Sequence, residues 1–312
     1  MTSTVVADVV HVTRRFGRFT ALDDVTLQVA EGEVFGLLGH NGAGKTTLLR
    51  VLNGLLETNG GSVTLLGMDP IRDGKRLRRR TGVLTEYPAL AELLSAHENL
   101  AIYASIHGMA PADIAHNTHE ILALLGLAGR EDEPVRGFSA GLKQRVALAR
   151  ALVHKPDVLM LDEPTTNMDP VAAKDVRTLI HRIARAEGRT VILSTHNLAE
   201  ASELCDRVAI IRQGQIIAIG SPNELAQRFA AGVTVSIEVG AGQADRAAKA
   251  LPSPIMVEVI SGRTLRVANA DQDVPAIVRK LVEAGHDVHA VTPHQPTLED
   301  VYLQLHDGES LS

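Results

Sequence analysis

Nine consecutive residues hold the densest chemistry in this sequence: Gly39, His40, Asn41, Gly42, Ala43, Gly44, Lys45, Thr46 and Thr47. Glycines let backbone N–H groups curl around an anion with no Cβ in the way. Lys45 adds a point charge that reaches the outer phosphates of a nucleotide, and the Thr46 hydroxyl can ligate Mg2+. The pattern Gly-x-x-x-x-Gly-Lys-Thr follows the apolar run 34–39 and precedes the helical pattern TLLRVLNGLL. Strand, loop and helix in that order define a phosphate-binding loop.

The stretch VLMLDEP, 158–164, supplies acid groups. Asp162 ends an apolar strand, where its carboxylate can face a metal held by Thr46. Glu163 follows where the chain turns, so the two can divide labour: Asp162 on the metal, Glu163 as base for an attacking water. His196, in LSTHNLAE, ends the next apolar strand. Strand C-termini face the ligand in a doubly wound sheet, which brings His196 within reach of a γ-phosphate.

A second anion site stands in FSAGLKQRVALARAL, 138–152. Ser139, Ala140 and Gly141 are small and precede a helical pattern that Ser139 can cap. Such a helix start attracts phosphate. One chain therefore carries two phosphate-binders, and the second needs a purpose.

The elements that position these groups are legible as strands and helices. The runs 34–39, 158–164 and 190–195 are continuously apolar, as strands buried on both faces of a parallel sheet are. Between the last two lies a helix with Val176, Leu179, Ile180 and Ile183 on one stripe, closed by Gly188. Strand–helix–strand order makes this part α/β. Residues 208–220 read as an antiparallel hairpin turning at Gln213-Gly214. Residues 85–150 read as a helical insertion, with Ile114, Ile121, Leu122 and Leu125 on one face. The second part, 233–312, gives strand 233–239, helix 244–251, strand 256–261, strand 264–267, helix 274–284, strand 287–291 and helix 297–305. That order describes a small α+β, ferredoxin-like domain. The expected boundaries are 1–228 and 233–312.

Bulk properties narrow the class. Aromatic residues make up 3% of the chain, Trp is absent and the net charge is -6. No stacking platform or basic surface for nucleic acid is visible. One cysteine, Cys205, excludes an internal disulfide framework. It follows Leu198 and Ala201 at helical spacing and reads as a small buried side chain. The N-terminus shows no secretory pattern, and no apolar run approaches the ~18 residues of a spanning helix.

In this order the motifs resemble the nucleotide-binding subunits of ABC transporters, over about residues 5–230. The resemblance implies a P-loop NTPase fold of the ABC ATPase type, with ATP and Mg2+ as cofactors. Phe138-Ser139-Ala140-Gly141-Leu142 stands where that family carries its signature, Leu-Ser-Gly-Gly-Gln. In the family two subunits pair head to tail, and each signature helix closes on the partner's γ-phosphate. Ser139 and Gly141 would then serve a neighbour's ATP, which gives the second phosphate-binder its purpose. Phe16 matches the aromatic that stacks on adenine; Phe19 is the alternative, and either could instead be core. Asp169, in Asn167-Met168-Asp169, matches the loop lining the dimer interface. Glu86 stands where the family has Gln meeting Mg2+, with a solvated loop residue as the alternative reading.

The tail 296–305, PTLEDVYLQL, resembles drug- and antibiotic-exporting subunits of the daunorubicin-resistance type. The resemblance implies an ATPase subunit that energises a separate membrane-spanning permease. It implies a dimer, of two copies or with a paralogue, held peripherally at the cytoplasmic face of the cell membrane. The alternative is an ABC-type ATPase uncoupled from transport, such as a repair or translation factor. Neither the long coiled-coil insertions of the first nor the paired ATPase units of the second are visible.

Overall fold

The computed structural model describes residues 4–229, 234–251, 255–268, 274–294 and 297–307. The chain divides into two compact units between Ser221 and Pro222.

The first unit opens with β1 (Val5–Phe16) and β2 (Phe19–Ala30), an antiparallel pair. Then β3 (Val34–Leu38), buried along its whole length, leads through the glycine-rich loop into α1 (Lys45–Leu52). Next, β4 (Gly60–Leu65) joins β1, completing a three-stranded antiparallel sheet in the order β2-β1-β4. A short α2 (Gly74–Arg78) precedes β5 (Thr81–Leu84). The insertion consists of α3 (Ala96–Ile106), α4 (Pro111–Leu124) and α5 (Ala140–Leu152). Residues 85–94, expected to open the helical insertion, carry no helix.

The chain returns to the sheet with β6 (Val158–Asp162), α6 (Pro170–Glu187) and β7 (Thr190–Thr195). Helix α6 ends at Gly188, in the left-handed conformation at φ 61°. The unit finishes with α7 (Leu198–Leu204), β8 (Arg207–Arg212) and β9 (Gln215–Gly220). Gln213 and Gly214 turn this last hairpin with φ of 50° and 81°, the left-handed pair that a two-residue loop requires. The second sheet has the order β5-β6-β7-β3-β8-β9 and is parallel up to its antiparallel edge, β9. The core lies between the two sheets. Val9, Val25 and Leu27 of the antiparallel sheet, Leu48 and Leu52 of α1, and Phe35, Met160 and Ile192 of the parallel sheet share one apolar cluster.

The second unit is α8 (Pro222–Phe229), β10 (Thr234–Val239), α9 (Ala244–Ala250), β11 (Met256–Ser261), β12 (Thr264–Ala268), α10 (Val274–Glu283), β13 (Val288–His294) and α11 (Leu298–Asp307). Its sheet order, β11-β12-β10-β13, with every neighbour antiparallel, is the split βαβ arrangement of a ferredoxin-like domain. Val235, Ile237, Leu265 and Val267 face Ala247, Ile277 and Leu281 of its helices. The split at Ser221/Pro222 places α8, which packs on α11, in the second unit. Val233 and Pro296, where a strand and the tail motif were expected to begin, lie outside the described residues.

Candidate active site

Three adjacent strands, β6, β7 and β3, bring their C-terminal ends together. Asp162 pairs in register with Ser194, and Leu38 with Thr195. Every group that follows these positions therefore meets at one edge. Gly39 leaves β3 so close to the neighbouring chain that a Cβ would stand 2.3 Å from the Ile211 carbonyl oxygen. Gly44 has φ 114°, and a Cβ there would meet the Ala21 carbonyl oxygen at 2.6 Å. The loop is thus a cradle that admits no side chain at Gly39 or Gly44, and its backbone N–H groups open at the start of α1.

Lys45 is buried and donates to the carbonyl oxygens of Gly39 (2.5 Å) and His40 (3.1 Å). Its Nζ also lies 3.2 Å from Glu163 Oε1. Thr46 Oγ1 donates to Asp162 Oδ1 at 3.0 Å, which joins the loop to β6. Glu163 Oε2 accepts from Thr166 Oγ1 at 3.2 Å and lies 2.7 Å from His196 Nδ1. That contact leaves His196 Nε2 for a phosphate. Glu163 Oε1 is buried, and beyond the Lys45 charge it has no hydrogen-bond donor. It lies enclosed, with the Lys45 ammonium as its neighbouring charge. Lys45, Thr46, Asp162, Glu163 and His196 thus converge, as their types required.

The remaining expected residues divide. Phe16 and Phe19 pair across the β1–β2 turn, 44% and 60% exposed, so neither is core. The Arg14 guanidinium lies 4.5 Å from the Phe16 ring centroid, and the ring is available for stacking. Ser139 caps α5 by accepting from the Leu142 N–H, and both Ser139 and Ala140 are exposed. They start the last helix of the insertion. Asp169 accepts from the N–H groups of Val171 and Ala172 and thereby starts α6. Glu86 is half-buried, two residues beyond Leu84, which pairs with Leu161. This places Glu86 at the same sheet edge as Asp162.

Several supporting groups carried no signal in the sequence. Ser194 Oγ donates to Asp162 Oδ1 at 2.5 Å, the same oxygen that Thr46 reaches, and so helps fix that carboxylate. Gln144, on α5, donates to the Pro164 carbonyl at 2.7 Å. Glu200, on α7, accepts from Thr165 Oγ1 at 2.8 Å. Burial holds the Glu200 carboxyl above the usual carboxylate range, partly offset by the Thr195 and Thr165 hydroxyls. Single hydroxyls and one acidic residue in an ordinary helix have no distinguishing pattern, and register alone makes them partners.

The donor set also bears on a divalent cation. Among the described residues, no cluster of three or more His, Cys, Asp or Glu could hold a metal. The hydroxyl of Thr46 beside a carboxylate suits Mg2+, which takes few protein ligands and completes its shell with phosphate oxygens and water. The residues present fit that ion.

Known proteins resemble this chain. Residues 22–166 match the family described as ABC transporter. The daunorubicin resistance ATP-binding protein of Streptomyces coeruleorubidus is 35% identical over 294 residues, covering 94% of this chain and 93% of that one. The bacitracin transport ATP-binding protein of Bacillus licheniformis is 32% identical over 302 residues, covering 96% of each. Among solved structures, cbiO1 from Clostridium perfringens, part of an ABC transporter complex, superposes with a TM-score of 0.66. It is 29% identical, over 71% of this chain and 90% of that one. The chain belongs to the ABC transporter family, as an ATP-binding subunit.

Proposed function

We propose that this chain binds MgATP, pairs head to tail with a second ATPase subunit, and hydrolyses ATP with Glu163 as general base. The observation that carries this reading is the Glu163 carboxylate. One oxygen is held by His196 and Thr166, and the other is buried beside Lys45. A carboxylate oriented on one side, whose Lys45 contact an arriving phosphate can displace on the other, suits activation of a water. Lys45 and the glycine cradle bind the phosphates, and His196 Nε2 faces the outermost one. Thr46, Asp162 and Glu86 would hold Mg2+, which offsets the charge of the phosphates. Phe16 offers a ring to the base. Ser139 and Gly141 act on the nucleotide of the partner subunit, and Asp169 lies where the two subunits meet.

The work is export of a drug or antibiotic through a separate permease subunit. Support comes from the daunorubicin-resistance and bacitracin-transport relatives, each matched over more than nine-tenths of both chains. No helix among the described residues is long and apolar enough to cross a membrane. The conduit then belongs to the partner, and the chain works peripherally at the cytoplasmic face. No observation favours an ATPase uncoupled from transport. The test is reconstitution in vesicles with the membrane protein that co-purifies. Drug should cross only with MgATP and an intact Glu163. Equal transport without nucleotide overturns the reading.

A further inference from the structure

Glu200 is the residue beside the site that the proposed chemistry leaves unused. Its backbone is fixed by the cap of α7, where Asn197 Oδ1 accepts the Glu200 N–H at 3.1 Å. At 1% exposure it is buried more deeply than Asp162 or Glu163, each 7% exposed. Its carboxyl accepts from Thr165 Oγ1 at 2.8 Å and from the Thr195 hydroxyl. Thr195 Oγ1 in turn accepts the Asn197 N–H at 2.9 Å. Thr165 lies two residues after Glu163, and Thr195 lies directly before His196. One carboxyl therefore joins the two chain segments that present the Glu163–His196 pair.

The segment after β6 needs such a hold. Glu163 sits at φ 51°, in the left-handed region. For a residue with a Cβ that conformation is strained and persists where the surroundings over-determine it. Burying a carboxyl near a second carboxylate costs desolvation and repulsion, which its bonds from the Thr165 and Thr195 hydroxyls offset. We propose that Glu200 is a positioning residue for hydrolysis, holding the loop after β6 against the end of β7 so that Glu163 and His196 stay in contact. The proposal rests on Glu163 being the base.

The test uses the full chain and five variants, one of them a double. Glu200→Leu leaves the buried Thr165 and Thr195 hydroxyls without their acceptor and should melt a few degrees lower, yet bind MgATP within about twofold of wild type and lose roughly tenfold or more in kcat. Glu200→Gln keeps an acceptor oxygen and should stay within about threefold of the wild-type kcat. Thr165→Val should lower kcat in the same direction, and added to Glu200→Leu it should cause no further loss, because both remove one connection. Wild-type kcat in Glu200→Leu overturns the proposal. So does a parallel fall of kcat, affinity and melting temperature in both Glu200→Leu and Thr165→Val. Glu163→Gln separates this from the parent reading. If Glu163→Gln hydrolyses at the wild-type rate, the base assignment fails. If it is inactive while Glu200→Leu is fully active, the positioning role alone fails.

Discussion

Lys45 Nζ lies 3.2 Å from Glu163 Oε1, and both side chains are buried. The cation proposed to bind phosphate is therefore shared with the carboxylate proposed to activate water. An arriving phosphate competes with Glu163 for the Lys45 charge.

That competition predicts an affinity change as well as a rate change. Glu163→Gln removes the competing charge while keeping the shape. MgATP affinity should rise roughly threefold to tenfold. Steady-state hydrolysis should fall by about 10²–10³ for loss of a general base. Equilibrium binding and phosphate release measure the two. Unchanged or weaker binding would contradict the shared-charge account.

Lys45→Ala acts in the opposite sense. It removes the phosphate contact and also leaves Glu163 buried without its cation. Affinity should fall by roughly 10²-fold or more, since truncating one partner leaves the other charge unpaired. Lys45→Ala combined with Glu163→Gln should recover part of that loss. A double variant that binds as weakly as Lys45→Ala would show that Glu163 does not sense Lys45.

Much of this site was legible because its chemistry is contiguous. The loop 39–47, the Asp162-Glu163 step and His196 each follow an apolar strand, and a parallel sheet aligns strand ends. What escaped was whatever depends on lateral register. Ser194 reaches Asp162 because β6 and β7 pair residue for residue. The antiparallel sheet β2-β1-β4 also escaped. Strands β1 and β2 carry register shifts at Val9/Val12 and Val12/Arg14, and His11 and Asp24 turn to φ 51° and 55°. Those breaks blur the two-residue alternation that marks a strand. The helical periodicity within 85–150 was real from Ala96 onward, but its stripe does not say where the preceding loop ends.

Ser139 is exposed, and its backbone starts α5, so a large side chain there can be accommodated without disturbing the core. Ser139→Arg should leave ATP binding to the isolated chain intact and abolish hydrolysis by blocking closure of the dimer. Mixed with Lys45→Ala chains, it should regain activity in the composite site that carries neither lesion. A mixture no more active than either variant alone would count against action across the dimer.

The insertion carries a pH-sensitive contact of its own. His154 Nε2 meets the Thr81 carbonyl at 3.0 Å, and its ring stacks on His107 at 4.2 Å. Burial, then the His107 charge, lowers the His154 pKa to about 4. The folded state therefore favours the neutral ring, whereas the unfolded chain takes a proton near pH 6.5. The stabilisation is full above about pH 6.5 and declines as pH falls toward 4, losing roughly 1–2 kcal/mol by pH 5. Melting at pH 7 and pH 5 should show a larger drop for wild type than for His154→Phe. Equal drops would remove His154 as the cause.

Glu86 tests the metal side of the site. It stands just past the end of β5 at the edge that carries Asp162, in a loop tied to α5 by the Arg150 donor on the Ala89 carbonyl. A glutamate here supplies an oxygen, as a glutamine would, but adds a charge. With Asp162 and Glu163 close to the triphosphate, that charge is repulsive until a cation offsets it. Removal of Mg2+ should then weaken ATP binding more steeply in the wild type than in Glu86→Gln. The measurement is ATP affinity with Mg2+ and with excess chelator for both proteins. The Gln variant should bind metal-free ATP more tightly than wild type and MgATP about equally. If chelation weakens both proteins by the same factor, Glu86 lies outside the field of the metal and is a solvated loop residue.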